Sequence, residues 1–199
     1  MNKYKEIISK LGAYLKSLGF VKKGDTYYLS NQESWQLINI QRSQQKSLDG
    51  NIRFTINIGI CSKSIWKFLE GSTDVLPNID ECHWRKRIGF LLPIKEDYWW
   101  KVDNNTSVEE LLVELQDVID HHVAPVITKY SDDASLECMW LKNISEGITE
   151  LEKYIFLTTL LKIKGRENLS AIASEMKAFA KGRSFEISAL EHLKMLGEH

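Results

Sequence analysis

The chain has 199 residues, of which 43% are hydrophobic and 27% charged; that balance belongs to a folded globular protein and excludes global disorder. Lysine and arginine total 26 against 27 aspartate and glutamate, a formal net charge of −1. A protein built chiefly to coat nucleic acid is strongly basic, so that class is disfavoured.

In chain order, Asn2 to Leu18 reads as an amphipathic helix, because Tyr4, Ile7, Ile8, Leu11, Leu15 and Leu18 recur at helical spacing before Gly19. Strand signals follow. Phe20 to Lys23 and Thr26 to Leu29 flank Gly24-Asp25, a hairpin turn. Ser34 to Ser43 is a strand, and Gln44 to Gly50 is a polar loop leading to the next one, Asn51 to Cys61. That strand alternates most clearly, with Ile52, Phe54, Ile56, Ile58 and Ile60 on one side and Arg53, Thr55, Asn57 and Gly59 on the other. Ser64 to Glu70 is a short helix stopped by Gly71, His83 to Leu92 a strand stopped by Pro93, and Tyr98 to Val102 a last short strand.

From Thr106 the pattern is helical. Ser107-Val108-Glu109-Glu110 matches a capping box before the stripe Leu111, Leu112, Leu115, Val118 and Ile119. Pro125 marks a break or kink. Ser131 caps a helix to Leu141, Ile148 to Ile163 is apolar on nearly every side, and Leu169 to Ala180 and Ser184 to Leu196 form a final pair. Lys164-Gly165-Arg166 recurs as Lys181-Gly182-Arg183, but two copies do not make a repeat architecture and read as two glycine-ended helices. The expected fold is α+β: an N-terminal helix, an antiparallel sheet of five or six strands, and a helical C-terminal half. The expected division is an α+β domain over 1–130 and a helical extension over 131–199. Ile38, Ile40, Phe54, Ile56, Ile58, Ile88 and Phe90 should be buried together against the first helix.

Motifs of chemistry are sparse. Cys61, Cys82 and Cys138 have no CxxC spacing and read as reduced thiols. The N-terminus has no apolar signal core and Tyr154 to Leu161, the longest apolar run, is too short to cross a bilayer, so a cytoplasmic protein without a membrane partner is expected. Asp117 and His121 share a helix face beside Asp120 and His122, yet further ligands at metal-binding spacing are missing, and no metal is expected. Cys82 and His83 are adjacent in a strand, which points them to opposite faces and disfavours a nucleophile–base pair. Phosphate-binding glycine runs and the GxSxG elbow do not occur. Of six tryptophans, most are read as core anchors, with one or two available to rim a groove.

The sheet's second face carries the site expectation. With the isoleucines inward, strand parity places Asn39, Gln41, Arg53, Thr55, Asn57, Arg85 and Arg87 together on the other face. Amide and guanidinium donors on a rigid sheet suit an anion, a carboxylate or the acidic surface of a partner. The candidate binding residues are Asn39, Gln41, Arg53, Asn57, Arg85 and Arg87.

Several segments together carry a resemblance. They are Gly19-Phe20-Val21-Lys22-Lys23-Gly24, Tyr28, Ile38-Asn39-Ile40-Gln41-Arg42-Ser43, Phe54-Thr55-Ile56-Asn57-Ile58-Gly59-Ile60, Trp84-Arg85-Lys86-Arg87-Ile88-Gly89 and Asp97-Tyr98-Trp99-Trp100. In this order, over about residues 2–130, the chain resembles the bacterial family known as domain of unknown function 4304. Arg42 stands where the family pattern has lysine, and the helical tail lies outside the resemblance. The resemblance implies the fold and a bacterial, cytoplasmic setting; it implies no catalytic residue. Binding is therefore the leading expectation, to a protein partner in the manner of small immunity-type proteins, without a cofactor. The alternative is an enzyme or small-anion binder that uses the polar sheet face. Nucleic-acid binding through Arg42, Arg53, Arg85 and Arg87 ranks third.

Overall fold

The computed structural model describes residues 2–44 and 51–198; most of the expected Gln44–Gly50 loop lies outside the described residues. The chain starts with α1 (Lys3–Ser17), where the Asn2 side chain accepts from the Tyr4 N–H and caps the helix. Six strands follow: β1 (Val21–Lys23), β2 (Thr26–Ser30), β3 (Ser34–Arg42), β4 (Ile52–Ser62), β5 (Trp84–Arg87) and β6 (Trp100–Val102). They form one antiparallel sheet in the order β1-β2-β3-β4-β5, and β6 pairs with β4 beside β5 on the same edge. Helix α2 (Lys63–Glu70) leaves the end of β4, capped by Ser62. The helical half contains α3 (Val108–Val118), α4 (Ala124–Tyr130), α5 (Asp133–Leu141), α6 (Glu150–Ile163), α7 (Leu169–Ala180) and α8 (Glu186–Leu196). The α+β class and the order of elements are as the sequence reads, and among the described residues no helix is long and apolar enough to cross a membrane.

Two local expectations change form. The kink foreseen near Pro125 is a π turn over Ile119–Val123, immediately before the proline enters α4. Proline has no N–H to return to the carbonyl four residues earlier, so the α ladder is interrupted here. The strand expected over His83–Leu92 is only β5, followed by a 3-10 turn at Ile88–Phe90. Gly89 shows why the chain must turn. A Cβ there would lie 1.9 Å from the Glu96 carbonyl oxygen, so the 96–98 backbone passes directly against it. Period-two alternation therefore ends at Arg87. Ile88 is still buried in the core, but Phe90 is 43% exposed, which corrects its assignment as a core residue.

The register fixes the inner face. Ile38 stands opposite Ile58 and Ile40 opposite Ile56, and both pairs join Phe54, Ile88, Ile7, Leu11 and Leu15 in one buried cluster. The same cluster contains Tyr130, Trp140, Phe156, Leu157 and Leu160, so sheet and helical half share one core. Trp84 of β5 stacks on Tyr130 at 5.6 Å. Polar contacts tie the seam. Ser34 Oγ donates to the Ser131 carbonyl at 2.5 Å, the Asp133 N–H donates to Glu33 at 2.9 Å, and Arg85 pairs with Glu152 of α6 at 2.7 Å. Five tryptophans are buried, and only Trp99 is half-exposed.

The seam also holds a buried histidine. The Ser62 N–H donates to His83 Nδ1 at 2.9 Å, which requires that nitrogen to be unprotonated. The ring stands edge-on to Phe156 at 4.6 Å. Burial, helped by the nearby Arg85 charge, pushes His83 down to about 3; burial pushes His192 of α8 down to about 4. Unfolded histidine titrates near 6.5, so below that pH the unfolded chain takes up protons that the folded protein refuses. Stability is thus fully present above pH 6.5 and declines as pH falls toward these lowered values. The expected loss between pH 7 and pH 5 is about 2 kcal/mol per ring. Urea denaturation at both pH values checks it: His83→Gln should be less stable at pH 7 yet lose about half as much on acidification. Equal losses in variant and parent would contradict the assignment.

Candidate functional site

The second face of the sheet changes character along its strands. Toward one end it carries Trp35 and Leu37 of β3 and Cys61 of β4, which form a small separate core with Tyr28, Trp66 and Cys82. The 78–82 segment crosses this end so closely that a Cβ on Gly59 would meet Cys82 Sγ at 2.5 Å. All three cysteines are free, and burial pushes the Cys61 and Cys82 thiols far up, so neither supplies a thiolate. Toward the other end the outward residues become polar, because Asn39 faces Asn57 and Gln41 faces Thr55 in register, and Arg87 of β5 faces Asn57.

Arg87 is the centre of a hydrogen-bonded surface network. Its Nε donates to Asn57 Oδ1 at 3.3 Å, one terminal nitrogen donates to Gln41 Oε1 at 3.3 Å, and the other donates to Asp97 Oδ1 at 2.8 Å. Its guanidinium lies 5.1 Å from the Trp99 ring centroid. The Trp99 indole N–H donates to the second Asp97 oxygen at 2.9 Å. The Asn57 amide donates to Asn39 Oδ1 at 3.2 Å and to Gln41 Oε1 at 3.0 Å, and the Asn39 amide donates to Thr26 at 3.0 Å. Arginine only donates, so the Gln41 orientation is fixed: its oxygen accepts twice and its NH2 has no partner among the described residues. The hydrogen bond from Arg87, then that from Trp99, holds Asp97 below the usual carboxylate range.

Two grooves flank this network. One, of about 540 Å3, is lined by Gln41, Asn57, Ile79, Arg85, Arg87 and Phe90 among others. Gly147 of the helical half also lines it, and Lys86 at its side pairs with Glu146 at 3.2 Å. The other, of about 520 Å3, is lined by Gln41, Ser43, Gln44, Arg53, Asp97 and Trp99. Gln41 belongs to both, and the Arg87–Trp99 stack forms the saddle between them.

Five of the six residues singled out from the sequence therefore lie on or beside this network, and Arg85 does not join it. Its guanidinium turns to the Cys82 carbonyl at 3.0 Å and to Glu152, fastening the sheet to the tail while its chain lines the first groove. Asn39 lines neither groove and braces Asn57 from behind. Sequence reasoning missed Asp97, Trp99, Phe90 and Gly147. The first two had a signal, since a carboxylate two residues from a tryptophan can accept from its indole N–H; Gly147 lies far along the chain and had none. The helical pair Asp117–His121 is present at 3.0 Å on an exposed face, and no cluster of three or more potential metal ligands occurs among the described residues.

Arg87→Ala should lower stability by about 1 kcal/mol. It deletes three hydrogen bonds and a ring contact, but the abandoned partners are partly exposed and can bind water. Chemical denaturation checks this; a loss above about 3 kcal/mol would mean that the network belongs to the core.

A model of the family described as a domain of unknown function (DUF4304) matches residues 11–129. No curated protein and no solved structure matches the chain.

Proposed function

From a chain that belongs to the DUF4304 family, a membership that carries no activity with it, we propose a binding protein of the bacterial cytoplasm that engages a protein partner through the polar sheet face and its grooves. The observation that carries this reading is Phe90. A phenylalanine 43% exposed, beside Ile79 and against an arginine–amide wall already held in place, is what a recognition surface needs. Aromatic anchors supply contact area, and prearranged polar groups lower the ordering cost of binding. Acid–base catalysis has less support on this face. Asp97 is kept ionised by two donors and acts as a fixed acceptor, while the buried His83 is committed to the sheet–tail seam.

The test is in-cell photo-crosslinking with benzoylphenylalanine placed at Phe90, and at Val113 as a control, which is 65% exposed on α3. The proposal expects a discrete protein adduct from position 90 that is absent from position 113. Indistinguishable adduct patterns at both positions, or none at 90, would count against a partner surface here.

A further inference from the structure

The hydrogen-bonding groups left open around the saddle are of one kind. The Gln41 NH2 accepts no role inside the network, since only its oxygen is used. The Arg53 side chain, exposed in the second groove, has no hydrogen bond or ion pair among the described residues, and Asp97, the acid that lines this groove among them, is engaged by Arg87 and Trp99. Thr55 lies on the same face between Arg53 and Asn57. It is completely buried, and its hydroxyl is unpartnered. Two unspent donors, the Gln41 NH2 and the Arg53 guanidinium, thus line one groove. Among the described residues the charges lining the second groove are Arg53 and Asp97, and Asp97 is already paired with Arg87, which leaves the Arg53 charge without a partner there. The first groove differs: its Arg85, Lys86 and Arg87 are all paired with carboxylates, and Phe90 and Ile79 offer apolar surface.

Resting on the binding reading above, we infer that the ligand is an extended acidic–apolar segment, with a carboxylate received by Arg53 and the Gln41 amide in the second groove and an apolar side chain seated on Phe90 in the first. The spacing agrees with a short peptide. Arg53 and Asn57 are four residues apart on β4, about 13 Å at the rise of a strand, which three to four extended residues span. A planar guanidinium beside an amide NH2 is a natural carboxylate receptor.

The Trp99 indole N–H, assigned by its loss in Trp99→Phe, reports on the saddle in spectra of the 15N-labelled full chain. The probes are the capped peptide acetyl-Leu-Ser-Gly-Asp-amide and its counterpart ending in asparagine amide. The aspartate peptide should shift this resonance saturably. The asparagine peptide should bind about fivefold more weakly, and Arg53→Ala should weaken the aspartate peptide alone by a similar factor and flatten its salt dependence. Equal affinity of the two peptides, indifference to Arg53→Ala, or no saturable shift would overturn the carboxylate assignment. The binding reading fails separately: if both peptides bind equally and Phe90→Ala abolishes them, the groove stands and only the acidic specificity falls, whereas loss of the specific crosslink at position 90 removes the groove itself.

Discussion

Gly147→Ala is expected to destabilise the protein by about 3–4 kcal/mol. Gly147 has φ +77°, and a Cβ there would lie 1.6 Å from the Arg85 carbonyl oxygen and 2.6 Å from its carbon. The left-handed backbone alone costs an alanine about 1 kcal/mol. The rest comes from the collision, because the neighbour is strand backbone and cannot rotate away. The turn before α6 would lift off β5, loosening the Lys86–Glu146 and Arg85–Glu152 pairs and the wall of the first groove. Gly165→Ala separates the two contributions, since Gly165 also has positive φ, +61°, but nothing within 4 Å of its Cβ position. Urea denaturation should show about 1 kcal/mol lost there. Equal losses at the two glycines would show that close approach to β5 carries no weight.

Trp84→Ala should cost about 3–5 kcal/mol, as expected for emptying a large, fully buried aromatic site. Trp84 opposes Ile60 in register and stacks on Tyr130, so it joins β5 to the end of α4. Its indole nitrogen is buried without a hydrogen-bond partner. Trp84→Phe therefore discards a donor that is already unsatisfied while keeping most of the ring contact, and should cost no more than about 1.5 kcal/mol. If phenylalanine proves as damaging as alanine, the indole nitrogen has a partner and this account of the seam is wrong.

Local rules carried the fold where each strand keeps one alternation. Ile38, Ile40, Phe54, Ile56 and Ile58 could be placed inward from parity alone, and the same parity gathered Asn39, Gln41, Asn57 and Arg87 opposite them. Parity failed at Phe90 because the turn at Ile88 is imposed by a contact between Gly89 and residues 96–98, which no alternation encodes. It also could not show that Trp35, Leu37 and Cys61 on the second face have a cover of their own, supplied by Leu76, Ile79 and Cys82. Arg85 and Arg87 look equivalent in sequence, yet one answers to Glu152 and the other to Asp97. Those acids lie 67 and 10 residues away, and only the fold decides which arginine meets which. The groove was legible as a polar strand face but not as a groove, because its apolar end depends on the misread Phe90 and its wall on Gly147, outside the family match at 11–129.

The most direct measurement is calorimetric titration of the partner captured at position 90, purified, against the parent protein and Phe90→Ala, with a thermal melt of each. At 43% exposure Phe90 contributes little to the core, so the melts should differ by only a few degrees. If Phe90 anchors the interface, affinity should fall about 30-fold, the scale of 2 kcal/mol at a binding hot spot. Unchanged affinity with unchanged stability would contradict recognition through this face.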